Sequence, residues 1–369
     1  MRVLFAGGGT GGHINPAISI ADYAAKQDKD FKALFVGTKS GLETKLVPKA
    51  GYDIEYIEIQ GFDRKHIFRN FETVKKLISA RRKCNKIIKE FKPDCIVCTG
   101  GYVSGPVAMA SKKMKVPSLI HEQNVYPGMT VKGSANYVTY LALSFEETIN
   151  HMQHKEKCVV TGNPIRSEIL HSDYKKSREK LGIKKPFVLI FGGSLGADRI
   201  NDTVIGMLDR ISKDNKIELL FGTGDRNYDK IMNKIKESGI TLSDNIKIVS
   251  YIDNMAECMA AADVVVSRAG AITVSEIAAL GKPSILIPSP NVVRNHQEQN
   301  AREFENKNAA ELILEKDLTS DALYDKIMSM VSDKERLKEM SGNLKPLAKV
   351  DALEKIYELM IKMAKGDRK

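Results

Sequence analysis

Residues Arg2 to Pro16 read RVLFAGGGTGGHINP. Val3, Leu4 and Phe5 make a short apolar run suited to a buried parallel strand, and the run breaks at Ala6 into five glycines and a threonine. Pro16 then opens a helical pattern through Ala17, Ile18, Ile20, Ala21 and Ala24. A glycine turn between strand and helix brings backbone close to a ligand and aims the N–H groups of the first helical turn at it. With the positive end of the helix dipole, those groups favour phosphate or another electron-rich group.

Gly7, Gly9 and Gly12 fit the dinucleotide pattern G-x-G-x-x-G. A nicotinamide or flavin enzyme of that kind needs an acidic residue at the tip of the second strand to hold the adenosine ribose. The second strand, Phe31 to Val36, ends in Gly37 and Thr38, which cannot do so.

The chain has 369 residues, which favours two domains, with 43% hydrophobic and 28% charged residues, ordinary for a globular protein. No apolar run approaches the ~18 residues of a transmembrane helix. Strand at residues 1 to 6 leaves no expected signal peptide, so a cytoplasmic protein is expected. Five scattered cysteines fit a reducing compartment. Cys95 and Cys98 form a CxxC, but on an apolar strand positions three apart face opposite sides, so buried structural thiols are expected there rather than a redox or metal pair.

The net charge of +11 is uneven: residues 1–165 hold 24 Lys+Arg against 15 Asp+Glu, and residues 166–369 hold 33 against 31. An acidic partner is therefore expected at the first half. Its most basic stretch, Arg64 to Lys92, interleaves lysines and arginines with Ile67, Phe68, Phe71, Val74, Leu77 and Ile78 at largely helical spacing. Two readings fit equally: helices with an apolar face on the core and a solvated basic face, or an interfacial patch on an anionic bilayer. Helix-turn-helix, zinc-finger and RNP signals are missing, so no nucleic-acid partner is expected.

Further strands are predicted at Tyr52 to Ile59, Pro93 to Thr99, Val116 to Ile120, Tyr137 to Leu143 and Cys158 to Thr161. A second glycine turn (GGYVSGP, Gly100 to Pro106) follows one of them, and the polar cluster His121-Glu122-Gln123-Asn124 follows another. The cluster is no HExxH zinc motif, because Val125 stands where the second histidine belongs. Gly162-Asn163-Pro164 reads as a linker. The second half repeats the scheme: strands at Phe187 to Phe191, Ile217 to Phe221, Ile246 to Val249, Asp263 to Val266 and a last one at Ser284 to Ile287, with the glycine turn GGSLGA at Gly192 to Ala197. Thr273 and Glu276 match a T-x-x-E capping box. The same loop entering a helix suits a diphosphate and a ribose. Arg294 to Asn300 is dense in side chains that bond sugar hydroxyls. From Leu347 onward Val350, Leu353, Tyr357, Met360 and Met363 mark a terminal helix. The pattern predicts an α/β protein of two doubly wound, Rossmann-like domains facing a central cleft.

The motifs GGGTGGH, GGYVSGP, HEQN, GNPIR, GGSLGA, SRAGAITVSEIAALGKP and HQEQNA, in this order over residues 7–301, resemble the MurG family of GT-B glycosyltransferases. The resemblance implies an acceptor- and membrane-binding domain of residues 1–163 joined by the returning helix 347–369, and a UDP-GlcNAc domain of residues 164–346. It implies inverting transfer of GlcNAc from UDP-GlcNAc to the 4-hydroxyl of the lipid I muramyl sugar, giving lipid II for peptidoglycan synthesis, and hence roles in cell shape and division. It implies a place at the cytoplasmic face of the cell membrane, peripherally bound. Partners implied are UDP-GlcNAc, lipid I, an anionic membrane surface and other cell-wall synthesis proteins.

Carried over by residue, Ser194 and the turn Ala271, Ile272 and Thr273 meet the diphosphate, Glu276 the ribose, and Ile252 the uracil, with Val274 and Ser275 also counted among the substrate-binding residues. His296, Gln297 and Asn300 meet the GlcNAc, and Thr10, Gly11, Gly12, Asn124 and Arg166 close the site. Leu195 and His296 depart from residues found in some members, where glutamines stand. Phe68, Phe71, Leu77 and Ile78 become the membrane patch. Catalysis needs a base for the acceptor hydroxyl, with His13 favoured over Glu122, and stabilisation of the departing diphosphate by N–H groups, a helix dipole and Arg166. No D-x-D motif in a diphosphate context appears, so neither a metal nor a cofactor is expected. The rival readings are a hydrolysing UDP-GlcNAc 2-epimerase, a synthase with a diacylglycerol acceptor, and a non-catalytic nucleic-acid-binding protein.

Overall fold

The computed structural model describes residues 1–61, 70–193, 196–292 and 295–366, and of residues 70 and 71 only the backbone. The chain divides into two compact units, Met1–Ile165 with Lys349–Lys369, and Arg166–Ala348.

The first unit is built on seven parallel strands: β1 (Arg2–Gly7), β2 (Lys32–Gly37), β3 (Asp53–Tyr56), β4 (Cys95–Gly100), β5 (Ser118–Glu122), β6 (Tyr140–Leu143) and β7 (Cys158–Val160). Their order is β3-β2-β1-β4-β5-β6-β7. Strands buried on both sides need apolar side chains at successive positions, and β1 supplies them. Val3 and Phe5 join one core with Cys95 and Val97, while Leu4 and Ala6 join the opposite core with Ile96 and Cys98. Cys95 and Cys98 thus lie on opposite faces, as expected, and burial pushes both thiols up to about 12.

The first helix, α1 (Gly11–Gln27), begins five residues before Pro16, which lies inside it. The glycines Gly11 and Gly12 are therefore helical rather than part of the turn. A helix α2 (Glu43–Lys49) follows β2, and α3 (Asn70–Phe91) takes up most of the basic stretch in one piece. His121 and Glu122 end β5 instead of following it, because β6 pairs along the strand as far as Glu122 with Leu143. Asn163, read as linker, is buried in this unit, where Ser144 Oγ donates to its Oδ1 at 2.9 Å. The last helix, Ala352–Lys365, sets Ile356, Leu359, Met360 and Met363 into the core around Phe5, Ile14 and Ile20 of this unit.

The second unit has six parallel strands: β8 (Phe187–Phe191), β9 (Glu218–Gly222), β10 (Ile246–Val249), β11 (Val264–Ser267), β12 (Ser284–Leu286) and β13 (Glu311–Leu312). They are ordered β10-β9-β8-β11-β12-β13. The short β13, pairing with β12 through Ile285 and Leu286, adds a strand beyond the one read as last. The helix after β11 runs over Ala271–Ala279 with Gly270 as its extended N-cap. Thr273 is consequently the third residue of the helix rather than its cap, and the capping box does not form. Both sheets are doubly wound, and each reverses its strand order once, between β1 and β4 and between β8 and β11. In open parallel sheets ligands bind outside the carboxyl ends of strands at such reversals.

Candidate active site

In the first unit the reversal is topped by two glycine turns. Thr10, extended at φ −134° and ψ 154°, caps α1, and its carbonyl accepts from His13 and Ile14 N–H at 3.1 and 3.2 Å. The N–H groups of Gly11 and Gly12 lie in the first turn, with no carbonyl one turn back to bond. His13 is half-buried, its Nδ1 3.3 Å from Gly8 O and 3.2 Å from Thr10 Oγ1. Its ring rests on Gly100, where a Cβ would lie 2.7 Å from Cδ2. Gly100 also has φ +106°, so a side chain there is excluded twice. Thr99 Oγ1 donates to His13 O at 2.7 Å and so ties β4 to α1.

At the end of β5, Glu122 is 2% exposed. Its Oε1 accepts from Asn124 N–H and Nδ2 at 2.9 and 3.0 Å, and its Oε2 from Gly128 N–H at 2.7 Å. Burial pushes its pKa up, against the pull of those hydrogen bonds. The carboxylate is thus engaged in holding the Asn124 loop. His121, buried and lowered to about 4 by burial, sits 2.9 Å from Gly162 O. Gln123 Nε2 donates to Thr99 O at 2.9 Å, so HEQN is largely a buried lattice in which Asn124 is the half-exposed member.

The sequence reading missed Glu43. Entering from α2, it is fully buried and accepts from Gly9 N–H (3.0 Å), Thr38 N–H (2.9 Å) and Thr38 Oγ (2.7 Å). An acid does reach the tip of β2, but it bonds the glycine turn rather than facing a ribose. The only sequence signal was Gly37 and Gly41 on either side of Thr38, small residues that make room for the carboxylate.

In the second unit the turn after β8 holds Gly193 at φ +97° and Gly196 at φ +76°; Ser194 and Leu195 lie outside the described residues. After β11, Ala271, Val274 and Glu276 are buried, Ile272, Thr273 and Ser275 half-buried. Ser275 Oγ donates back to Ala271 O at 2.9 Å. Arg166 Nε donates to Glu276 Oε1 at 2.8 Å, with the arginine side chain 48% exposed and the glutamate 6%. Burial raises the Glu276 pKa despite that cation. Asn300 Nδ2 donates to Ala269 O at 3.1 Å, and Gln297 Oε1 accepts Ser289 N–H at 2.9 Å, so both brace loops at the ends of β11 and β12. His296 is half-buried in the first turn of the helix His296–Glu305. Ile252 is buried, its side chain against Gly222 at the end of β9.

On α3, Val74 and Ile78 are 45% and 51% exposed and Leu77 half-buried; Phe68 lies outside the described residues, as does the side chain of Phe71. Among the described residues no helix is long and apolar enough to cross a membrane, and no three His, Cys, Asp or Glu side chains cluster as a metal site.

The chain matches the glycosyltransferase family 28 N-terminal domain over residues 3–143 and the family 28 C-terminal domain over residues 187–356. It is 48% identical over 362 residues to the UDP-N-acetylglucosamine–N-acetylmuramyl-(pentapeptide) pyrophosphoryl-undecaprenol N-acetylglucosamine transferase of Caldanaerobacter subterraneus subsp. tengcongensis, covering 98% of this chain and 99% of that one. The Finegoldia magna protein of the same name is 41% identical over the whole of both chains. Among solved structures, MurG of Acinetobacter baumannii superposes with a TM-score of 0.78 at 24% identity, covering 98% of this chain and 99% of that one. A UDP-GlcNAc 2-epimerase from Neisseria meningitidis bound to UDP-GlcNAc gives 0.68 at 14%, covering 98% and 100%, a likeness of fold alone.

Proposed function

The chain belongs to glycosyltransferase family 28, among the UDP-N-acetylglucosamine–N-acetylmuramyl-(pentapeptide) pyrophosphoryl-undecaprenol N-acetylglucosamine transferases, and from this premise we propose its reaction and the roles of its residues. It is a two-domain GT-B enzyme of peptidoglycan synthesis that moves GlcNAc from UDP-GlcNAc to lipid I, forming lipid II. The muramyl 4-hydroxyl attacks the anomeric carbon opposite the departing UDP, its proton passes to a base, and the configuration inverts.

The observation that carries the assignment of the base is His13 Nδ1 facing the carbonyl of Gly8. A carbonyl only accepts, and the Thr10 hydroxyl 3.2 Å from the same nitrogen can accept as well, so a neutral ring with its proton on Nδ1 suits both partners and carries its lone pair on Nε2, the nitrogen that takes the hydroxyl proton. Glu122 then positions Asn124 rather than acting as base, because both its oxygens already accept N–H groups. Thr10, Gly11 and Gly12 present the start of α1 to substrate, and Asn124 adds a side chain able to bond a sugar hydroxyl.

The nucleotide sugar belongs to the second unit. N–H groups at Ala271, Ile272 and Thr273, the dipole of their helix, Ser194 and the guanidinium of Arg166 balance the diphosphate charge that grows as the bond breaks. Glu276 accepts from ribose hydroxyls, Ile252 meets uracil through its backbone, and His296, Gln297 and Asn300 frame the GlcNAc. The first unit, completed by the last helix, takes the acceptor and lies peripherally on the anionic cytoplasmic face of the membrane, with the exposed Val74 and Ile78 of α3 among its lysines and arginines as the contact.

The test is transfer of radiolabelled GlcNAc from UDP-GlcNAc to a lipid I analogue with EDTA present. EDTA-resistant formation of the disaccharide lipid is expected. Interconversion of UDP-GlcNAc and UDP-ManNAc without transfer would replace the reading with an epimerase, which takes no lipid acceptor.

A further inference from the structure

Glu43 is built into the first unit in a way that a merely space-filling carboxylate is not. Three glycines close around it: a Cβ at Gly8 would lie 2.8 Å from its Oε1, one at Gly37 2.6 Å from its Cγ, and one at Gly41 would overlap the carboxylate. Gly8, Gly37 and Gly41 are not among the glycines with positive φ, so the backbone does not demand glycine at these positions. Space does: the glutamate is the nearest neighbour at all three, with Ile54 Cδ1 2.8 Å from a Cβ at Gly37 and Val103 Cγ2 3.1 Å from one at Gly8. The carboxylate bridges two loops, with Oε1 taking both donors of Thr38 and Oε2 taking Gly9 N–H.

That last donor shares a peptide group with the Gly8 carbonyl. In a trans peptide the N–H and C=O point in opposite directions, so fixing the Gly9 N–H on Glu43 fixes where Gly8 O points. It points to His13 Nδ1, 3.3 Å away. Gly9, at φ +86°, has the freedom to let this peptide turn over if nothing holds it.

We propose that Glu43 is a positioning residue, which locks the Gly8–Gly9 peptide and thereby sets the tautomer and orientation of the His13 imidazole. A carboxylate is required because three donors converge and it only accepts. Glutamine offers one oxygen; with that oxygen on Thr38, its NH2 faces the Gly9 N–H, and the peptide relieves the clash by turning its carbonyl to the amide and away from His13. The catalytic part of the proposal rests on His13 being the base; the structural part does not.

The experiment compares the full-length parent with Glu43→Gln, His13→Ala and the double variant, and records the imidazole 15N shifts of His13 in parent and Glu43→Gln. In the parent the shifts are expected to report a proton on Nδ1, and in Glu43→Gln a shift toward the Nε2-protonated form. Transfer by Glu43→Gln is expected to fall at least ten-fold in kcat, with KM for UDP-GlcNAc within two-fold, and the substitution is expected to add less than two-fold on the His13→Ala background. Gly41→Ala, which displaces the carboxylate without removing it, should move kcat and the 15N shifts in the same direction and serves if Glu43→Gln does not fold. Unchanged imidazole shifts, or effects of Glu43→Gln and His13→Ala that multiply in the double variant, overturn the proposal. If His13→Ala keeps the parent kcat, the base assignment fails, while the 15N shifts still decide whether Glu43 orients the ring.

Discussion

The two units share a plan and differ in how they hold their buried acids. In the first, Glu43 and Glu122 are satisfied by backbone N–H groups together with Thr38 and Asn124. In the second, Glu276 is held by Arg166, a half-exposed side chain. An acid whose partners are backbone amides is part of the frame, because releasing it would mean unfolding a turn. An acid held by a flexible arginine is exchangeable: a ligand that supplies hydroxyls to the carboxylate and phosphate to the guanidinium replaces the pair without stranding either charge. On the proposed roles, the first unit fixes geometry and the second trades one set of partners for another on binding.

The strongest challenge to this contrast is His13→Ala, which removes the group that the first unit's frame is built to aim. A fall in kcat of about 10²- to 10⁴-fold is expected with UDP affinity unchanged, measured by transfer assay and calorimetry. A loss of UDP affinity instead would put His13 on the donor side. Next comes Glu276→Gln, for which the contrast requires the opposite split. UDP affinity should fall about ten- to a hundred-fold, as for loss of a hydrogen bond to a charged group of about 1.5 to 3 kcal/mol, while kcat at saturating donor changes less.

Within the first unit the two acids should respond to pH with opposite signs. Burial raises the Glu43 pKa, but its bonds from Thr38 and Gly9 outweigh this and leave it below the ordinary 4.5. Its stabilisation is therefore present above that value and lost as pH falls through the lower folded one. Glu122 is raised by burial, so its contribution is present below 4.5 and lost as pH rises through the higher folded value. Thermal melts from pH 3 to 8 should show the destabilisation by Glu43→Gln growing with pH over the acid end of that range and that by Glu122→Gln shrinking as pH rises above 4.5, each about 1 to 3 kcal/mol at its largest. Parallel trends would show that the two sites do not differ as described. The smallest effect belongs to the surface: Ile78→Glu should weaken sedimentation with anionic vesicles about two- to five-fold, by loss of an apolar contact and addition of a like-signed charge, and leave transfer to a soluble acceptor unaltered.

Most strands were legible because parallel strands buried on both faces are written as short continuous apolar runs. Phe187 to Phe191 and Ile246 to Val249 match their observed limits. Ends were less legible. Pro16 marks a helix start by propensity, yet α1 begins at Gly11, because the capping geometry of Thr10 and not the proline decides where the helical bonds begin. Thr273 and Glu276 have the spacing of a capping box, but Gly270 takes the cap and leaves Glu276 to Arg166. The strand β13, two residues long, carries no periodicity to read.

The sequence by itself determined the alternation of strand, glycine turn and helix, the two-fold repetition of that scheme, the basic character of the first half and the family to which seven ordered motifs point. All of these are local patterns or counts, and local patterns survive in one dimension. Only the tertiary structure decided what each acid does. Glu43 reaches Gly9 across 34 residues and Arg166 reaches Glu276 across 110, separations over which no spacing rule operates. Their roles follow from which donors burial leaves within about 3 Å of each carboxylate, and that is fixed by the packing of strands and helices far apart in the chain.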